Sequence, residues 1–231
     1  MRRLLVKNLI AAVLGGALTY GFWWSRPQWD PEMRLWRAVG DASLMLLFLA
    51  LAVGPLTKLW SRLAKWQPFR RELGVWFGIL ALAHSLLIWN GWARWDVWRF
   101  LGYEFIPQVG RLARLEPGFG LANLIGLLAM VMALLLMATS TDWAVRRLGG
   151  SAWKFLQMGA YTVFYLSALH TAYFLFMHYT ASFHRSVPAD PNWFRYPFLG
   201  LTAMLLLLQW AAFTRIVAKR QASSRFRTST E

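Results

Sequence analysis

The stretch AYTVFYLSALHTAYFLFMHY, residues 160–179, decides the fold class of this chain. It contains no Asp, Glu, Lys or Arg over twenty residues, and it holds His170 just past its middle. A helix needs roughly 20 apolar residues to cross the hydrocarbon core of a bilayer. A second stretch, ELGVWFGILALAHSLLIW at 72–89, repeats the pattern with His84. Both stretches predict membrane-spanning helices, and an imidazole inside such a helix indicates a functional site.

The composition of the whole chain agrees with a membrane protein. Of its 231 residues, 58% are hydrophobic and only 15% are charged, and the mean hydropathy is +0.38. Cysteine is absent, which excludes disulfides, thiolate-held iron–sulfur clusters and catalytic thiols. The net charge of +15 does not indicate nucleic-acid binding, because the Lys and Arg residues stand in short clusters that flank the apolar stretches.

Six apolar stretches are long enough to span a bilayer. They are Leu4–Trp24, Ala42–Trp60, Leu73–Trp92, Leu121–Met137, Trp153–His178 and Pro197–Val217. The first is too long for a signal peptide and lacks a small-residue cleavage site, so we expect it to be retained. The sequence thus predicts an all-α integral membrane protein: a single six-helix domain over 1–220, then a polar, disordered tail over 221–231. No internal repeat is apparent in the sequence.

The distribution of basic residues predicts the orientation. The N-terminus, the Lys58–Arg71 and Arg146–Lys154 loops and the segment from Arg215 together carry 16 Lys and Arg, whereas the loops on the opposite side carry 9. The positive-inside rule therefore places both termini in the cytoplasm. On the other side, the segment RFLGYEFIPQVGRLARLEPGFG at 99–120 is amphipathic, which predicts that it lies on the outer surface of the membrane.

In this topology the third and fifth spans run in the same direction, from inside to outside. His84 lies five residues before Trp89, and His170 lies eight before His178, so at about 1.5 Å per residue both imidazoles fall in the outer half of the bilayer. Two imidazoles at one depth on neighbouring helices can ligate a haem iron from both faces. The alternative is that each histidine only forms hydrogen bonds between helices. A zinc or copper site is less favoured, because no carboxylate or thiol lies at the same depth.

The residues beside the two histidines also suit a flat macrocycle. Small residues on the same helices would leave room for it, and larger apolar ones would cover its faces. The small residues are Gly74, Gly78, Ala81 and Ser167, and the larger ones are Phe77, Leu80, Tyr173 and Phe174.

Three further stretches carry a resemblance to a known family. RRELGVWFGILALAH at 70–84 resembles the third helix of the ferric-reductase-like transmembrane domain, with a Leu-Gly pair and a His ten residues after the Gly. TSTDWAVRRLGGSAW at 139–153 resembles that family's loop between the fourth and fifth helices, and VGPLTKL at 53–59 the end of its second helix. In detail the chain is similar to the haem-binding membrane subunits of bacterial methionine-sulfoxide reductase systems.

The resemblance implies a cytochrome b of the bacterial inner membrane. Such a protein carries electrons from the quinone pool or a flavin, FMN being associated with some members. It passes them to a periplasmic molybdopterin subunit, its heterodimer partner, which repairs oxidised proteins by reducing methionine sulfoxide. The chain would then be an electron-transfer subunit rather than the catalytic one. His84 and His170 match the family's ligands on the third and fifth helices.

The sequence departs from the family pattern at the inner side of the membrane. A second haem would need ligands where this chain has Gln157 and Arg70. An amide is a poor ligand for iron, and a guanidinium stays protonated and cannot ligate it. We therefore expect one haem b, held in the outer half of the membrane.

Other polar residues are lesser candidates, each with a simpler alternative. Arg70 and Arg71 could bind a haem propionate or a flavin phosphate, or only anchor the chain to anionic lipids. His178 could accept a proton from a quinol or replace His170 as ligand, or merely lie at the lipid headgroups. His184 is expected at the outer surface. Asp41 could relay protons, although its place suggests a helix N-cap.

Two other functional classes stay open from the sequence alone. A stand-alone transmembrane ferric reductase, or a redox anchor for another periplasmic partner, would also use a buried haem. A reductase of that kind usually carries a dinucleotide-binding domain, and this chain shows no Gly-rich fingerprint. A haem-free assembly or transport protein is the third class, and it would be colourless after purification.

Overall fold

The computed structural model describes residues 2–108, 110–114, 116, 118–178 and 192–228. In this part of the chain, six helical segments are long and apolar enough to cross a membrane: Leu4–Trp24, Pro31–Leu59, Ser61–Trp92, Phe119–Ala138, Gly150–Met177 and Arg195–Ala222. The prediction of a six-span, all-α membrane bundle is confirmed. His184 and residues 229–231 lie outside the described residues. The last helix is assigned as far as Thr228, so the disorder expected over 221–231 stays a prediction.

The described residues contain nine α-helices and two short strands. The α-helices are α1 (Arg2–Trp24), α2 (Pro31–Leu59), α3 (Arg70–Leu87), α4 (Val97–Phe100), α5 (Phe119–Ala138), α6 (Asp142–Leu148), α7 (Gly150–Gln157), α8 (Gly159–Ala172) and α9 (Arg195–Thr228). A 3₁₀ segment, Ser61–Phe69, precedes α3. The third span joins this segment to α3 and to a π-helical turn, and the fifth span joins α7, α8 and a second π-helical turn.

Helix α2 is the centre of the bundle. In its most apolar stretch of 18 residues, 56% of the residues are buried inside the protein, against 11–22% in the corresponding stretches of the other five spans. It packs against α1, α3, α8 and α9, and its ring Phe48 meets Phe164 of α8 edge to face at 5.5 Å between centroids. The outer helices expose apolar side chains such as Leu9 and Leu207, as helices facing lipid do.

The start of α2 corrects the expected second span. The helix begins at Pro31, eleven residues before the expected Ala42. Asp30 is its N-cap and accepts hydrogen bonds from the backbone N–H groups of Glu32 and Met33 at 2.9 and 3.2 Å. Asp41 therefore lies inside the helix, and its assignment as an N-cap was wrong. A Pro at the first helical position after an Asp is a strong helix start. The helix therefore begins here, although the charged residues Glu32, Arg34 and Arg37 interrupt the apolar pattern before Ala42.

The amphipathic segment between the third and fourth spans forms a short helix and a hairpin. It contains the short helix α4 and a hairpin of strands β1 (Tyr103–Ile106) and β2 (Arg111–Arg114), paired antiparallel from Tyr103↔Arg114 to Ile106↔Arg111. The hairpin follows the same end of the third span that carries His84.

Candidate cofactor site

His84 and His170 line one cavity of about 330 Å³ at one end of the bundle. The walls come from α2, α3, α5 and α8, from the turns that follow α3 and α8, and from Phe100 of α4. His84 lies eight residues before the end of its span at Trp92, and His170 lies seven before the end of its span at Met177. Consecutive spans alternate in direction, so both ends lie on the same side of the membrane.

The spacing of the two imidazoles matches a pair of axial ligands. Their ring centroids lie 6.5 Å apart with the ring planes at 75°. A metal–imidazole nitrogen bond is about 2 Å long, which puts the centroids of two opposed ligands on one metal about 6 Å apart. The observed separation leaves space for one metal ion between the rings and is too long for a hydrogen bond between them.

Each imidazole is held by one backbone carbonyl. Nδ1 of His84 lies 2.8 Å from the carbonyl oxygen of Trp36, and Nδ1 of His170 lies 2.8 Å from that of Ala122. A carbonyl oxygen only accepts, so Nδ1–H is the donor in both cases and Nε2 is left with a lone pair. This is the tautomer that ligates metals, with the ring orientation fixed through its other nitrogen.

Two glycines let the imidazoles lie against the facing helices. A Cβ on Gly40 of α2 would stand 3.0 Å from Nδ1 of His84, and a Cβ on Gly126 of α5 would stand 2.5 Å from Nδ1 of His170. Both distances are shorter than the ordinary contact of 3.4 Å or more. These positions therefore need glycine for the observed ring placement, and the sequence alone does not indicate this.

The cavity is built from two similar halves, although no repeat is apparent in the sequence. Gly40, His84 and the carbonyl of Trp36 in one half correspond to Gly126, His170 and the carbonyl of Ala122 in the other, each 86 residues further on. Among the described residues that line the cavity, all but Trp36, Phe77 and Phe100 fall into pairs separated by 86. The pairs α2–α3 and α5–α8 thus repeat each other about an axis along the membrane normal.

Both histidine helices end in a π-helical turn. Ile88–Trp92 follows α3, and Tyr173–Met177 follows α8. Such turns are rare and are found mostly at functional sites. Each turn contributes an aromatic side chain to the cavity wall, Trp92 in one half and Phe174 in the other.

The halves differ in their charged residues. Arg37 and Asp41 line the cavity from α2, where the other half has Asn123 and Leu127. Asp41 forms an ion pair of 2.6 Å with Arg26, whose side chain is completely buried. Arg26 was not singled out from the sequence because it stands at a predicted membrane boundary, where basic residues are common.

His178 lines the same cavity and is paired with an acidic residue. Its Nδ1 lies 2.8 Å from Oε2 of Glu116, and the two side chains are 16% and 12% exposed. Its ring contacts those of Phe119 and Phe174 at 5.8 and 5.5 Å between centroids. The sequence predicts His178 as a candidate proton acceptor or alternative ligand, but it does not indicate Glu116 as its partner.

Gln157, Arg70 and Arg71 do not line this cavity. The amide nitrogen of Gln157 donates to the carbonyl of Leu136 and to Oγ1 of Thr139, at 3.3 and 3.2 Å. Arg71 donates to the carbonyl of Ser140 at 2.7 Å and pairs with Asp142 at 2.8 Å. Arg71 and Gln157 thus connect the third and fifth spans to the end of α5 and the residues that follow it.

Some of the small residues expected around a macrocycle lie elsewhere. Gly74 has open space beside it, and a Cβ on Gly78 would meet the sulfur of Met137 at 3.0 Å. Neither lines the cavity, whereas Ala81, Ser167 and Phe77 do. Within the described part of the chain, no cluster of three or more His, Cys, Asp or Glu side chains could hold a metal ion.

The fold and this cavity define a class: a multi-pass helical membrane protein with two imidazoles 6.5 Å apart in a cavity that four of its spans enclose. Residues 38–168 match the family model described as the ferric reductase like transmembrane component. The chain belongs to this family. The matched range includes His84 and ends two residues before His170.

The curated relatives of the chain belong to the same group of haem-binding subunits that its motifs resemble. The chain is 29% identical over 182 residues to the protein-methionine-sulfoxide reductase heme-binding subunit MsrQ of Bordetella parapertussis, covering 78% of this chain and 74% of the relative. It is 27% identical over 207 residues to the protein of the same name in Polaromonas naphthalenivorans, covering 90% of this chain and 82% of the relative.

Proposed function

We propose that this chain is a membrane cytochrome b that holds one haem b between His84 and His170. The observation that carries the proposal is the pair of opposed imidazoles 6.5 Å apart, set in a cavity whose two halves repeat each other. A porphyrin has two equivalent faces, so a cavity with two matching halves suits it. The heme-binding name of the relatives supports the same cofactor.

The protein's own groups have distinct roles in this proposal. Nε2 of His84 and Nε2 of His170 would hold the iron of the haem, while the carbonyls of Trp36 and Ala122 fix the two rings. Phe77 and Phe174 cover the cofactor, and Arg37 is the cation on the cavity wall that can pair with a propionate. A haem with two histidine ligands carries single electrons and has no open position for a substrate. The chain therefore acts as an electron-transfer subunit rather than a catalytic one.

The direction of electron flow follows from the distribution of charge. The end of the bundle that carries the histidines has the loops with 9 Lys and Arg, and the opposite end has 16. The positive-inside rule makes the histidine end periplasmic in the bacterial inner membrane, with both termini cytoplasmic. We propose that electrons leave there for a periplasmic molybdopterin-containing methionine-sulfoxide reductase, in line with the name of the relatives.

Quinol is the donor that best fits a single haem near the periplasm. A cytoplasmic flavin would need a second cofactor at the inner end, where Gln157 and Arg70 replace the expected ligands. A quinol dissolved in the bilayer reaches the outer half directly. The contacts of Arg71 with Asp142 and Ser140 favour a structural role over binding FMN, and the other basic residues at that end fit anchoring to anionic lipid.

Counting haem in purified variants tests the proposal. We expect one haem per wild-type chain, none in His84→Ala or His170→Ala, and nearly full content in Gln157→Ala, because Gln157 bonds to α5 outside the cavity. The pyridine haemochrome assay on detergent-purified protein measures the ratio. Two haems per chain, or an unchanged spectrum in both histidine variants, would contradict the assignment.

A further inference from the structure

His178 lines the cavity and is paired with Glu116, and haem binding does not explain this pair. In the repeat, His178 stands where the first half has Trp92. The ligand histidines occupy equivalent positions in both halves, so this difference is not needed to hold a cofactor. Burying a carboxylate beside an imidazole is costly, and an aromatic residue would close the cavity at less cost, as Trp92 does.

The pair lies one aromatic ring away from the ligand His170. The ring of Phe174 is 4.9 Å from that of His170 and 5.5 Å from that of His178, between centroids. His178 follows directly after the π-helical turn that ends the fifth span, and 16% of its side chain is still exposed. A flat ligand arriving from the interfacial region of the bilayer can therefore reach His178 while it remains close to the haem.

We propose that His178 and Glu116 form the proton-accepting part of a quinol-oxidation site at the edge of this cavity. The inference rests on the proposed function, because the haem between His84 and His170 is the electron acceptor. With Nδ1–H of His178 donating to Oε2 of Glu116, Nε2 carries the lone pair. In the proposed site, Nε2 of His178 is the general base that takes the proton of a quinol hydroxyl. The carboxylate of Glu116 then stabilises the imidazolium that forms. Phe119 and Phe174 form the walls for the quinol ring.

The reaction balances with the acceptors named. Oxidation of one quinol breaks two O–H bonds and gives a quinone, two protons and two electrons. The electrons are taken up one at a time by two successive reductions at the His84–His170 site, with re-oxidation by the periplasmic partner in between. One proton goes to Nε2 of His178 in each round, and it leaves to the aqueous side before the next.

Rapid mixing with a short-chain quinol tests this site. The haem-loaded full-length protein is mixed without oxygen with decylubiquinol, and the reduced haem absorption band is followed. We expect His178→Gln and Glu116→Gln to lower the reduction rate by about 10²-fold, the range of a lost general base. Haem content and the dithionite-reduced spectrum should stay at the wild-type values. Glu104→Gln, which removes a carboxylate from β1 outside the cavity, should be reduced at the wild-type rate.

The outcomes separate this inference from the proposed function. If the wild-type protein is reduced by dithionite but not by quinol, both the quinol donor and this site are wrong. If the wild type and both Gln variants are reduced by quinol at the same rate, the donor stands and the site is overturned. If both Gln variants lose the haem, the pair is structural and the inference is again overturned.

Discussion

Gly126→Ala is expected to disturb the haem without removing either ligand. The added Cβ would lie 2.5 Å from Nδ1 of His170, whereas ordinary contacts begin at 3.4 Å. The imidazole would have to move by about 0.9 Å. That displacement is large against the 2.8 Å hydrogen bond to the carbonyl of Ala122, and it is nearly half of an iron–nitrogen bond of about 2 Å.

The size of the effect follows from the cost of overpacking. Inserting a methyl group into a well-packed site costs about 1–3 kcal/mol, which corresponds to roughly a 5- to 150-fold loss of haem affinity. Gly40→Ala should cost less, because its Cβ would lie 3.0 Å from Nδ1 of His84. We therefore expect a graded series in which Gly126→Ala loses the most haem and shifts the remainder from low spin to high spin.

Haem content by pyridine haemochrome and the Soret band position measure this series. The matched control is Gly74→Ala in α3, where a Cβ would have nothing within 4 Å. It should keep its haem and be slightly stabilised, because Ala favours a helix by about 1 kcal/mol over Gly. A full complement of low-spin haem in Gly126→Ala, or an equal loss in Gly74→Ala, would refute the reasoning.

Three further predictions concern the packing around the site. Arg26→Met should lower the free energy of unfolding by about 3–5 kcal/mol, because it leaves Asp41 buried without its cation; thermal melts should show recovery when Asp41→Asn is added. Asp30→Ala should cost about 1 kcal/mol through loss of the N-cap of α2, seen as a lower melting temperature with unchanged haem content. Gly91→Ala would place a Cβ in collision with the ring of Trp36, so we expect partial haem loss, because the Trp36 carbonyl orients His84; an unchanged absorption spectrum would contradict this.

The six spans and the histidine pair could be predicted because they depend on properties read directly from the chain. A run such as 160–179 is too long and apolar for anything but a spanning helix. The depth of His84 and His170 follows from counting residues along helices of known rise. The spans and the depth of each histidine are local properties, whereas the pairing of the two imidazoles also needs the predicted topology, in which the third and fifth spans run in the same direction.

The features that the sequence did not predict have a common physical cause: each depends on a contact with a residue that is distant in the sequence. Asp41 reads as a cap until Arg26 is seen to pair with it. Gly40 and Gly126 look like ordinary helix glycines until an imidazole 44 residues further along the chain packs on each of them. Glu116 is near His178 only after α5 and α8 have packed together. A sequence pattern contains the residue types but not these pairings.

The 86-residue offset between the two halves of the cavity has an evolutionary consequence. Two copies of a helical hairpin, each giving one imidazole, one carbonyl and one glycine, are what a C₂ homodimer would place around a shared ligand. Gene duplication and fusion would turn such a dimer into a single chain. The two halves now differ: among the described residues that line the cavity, only the first half has an acidic and a basic side chain, at positions 41 and 37, and only the second has a further imidazole, His178.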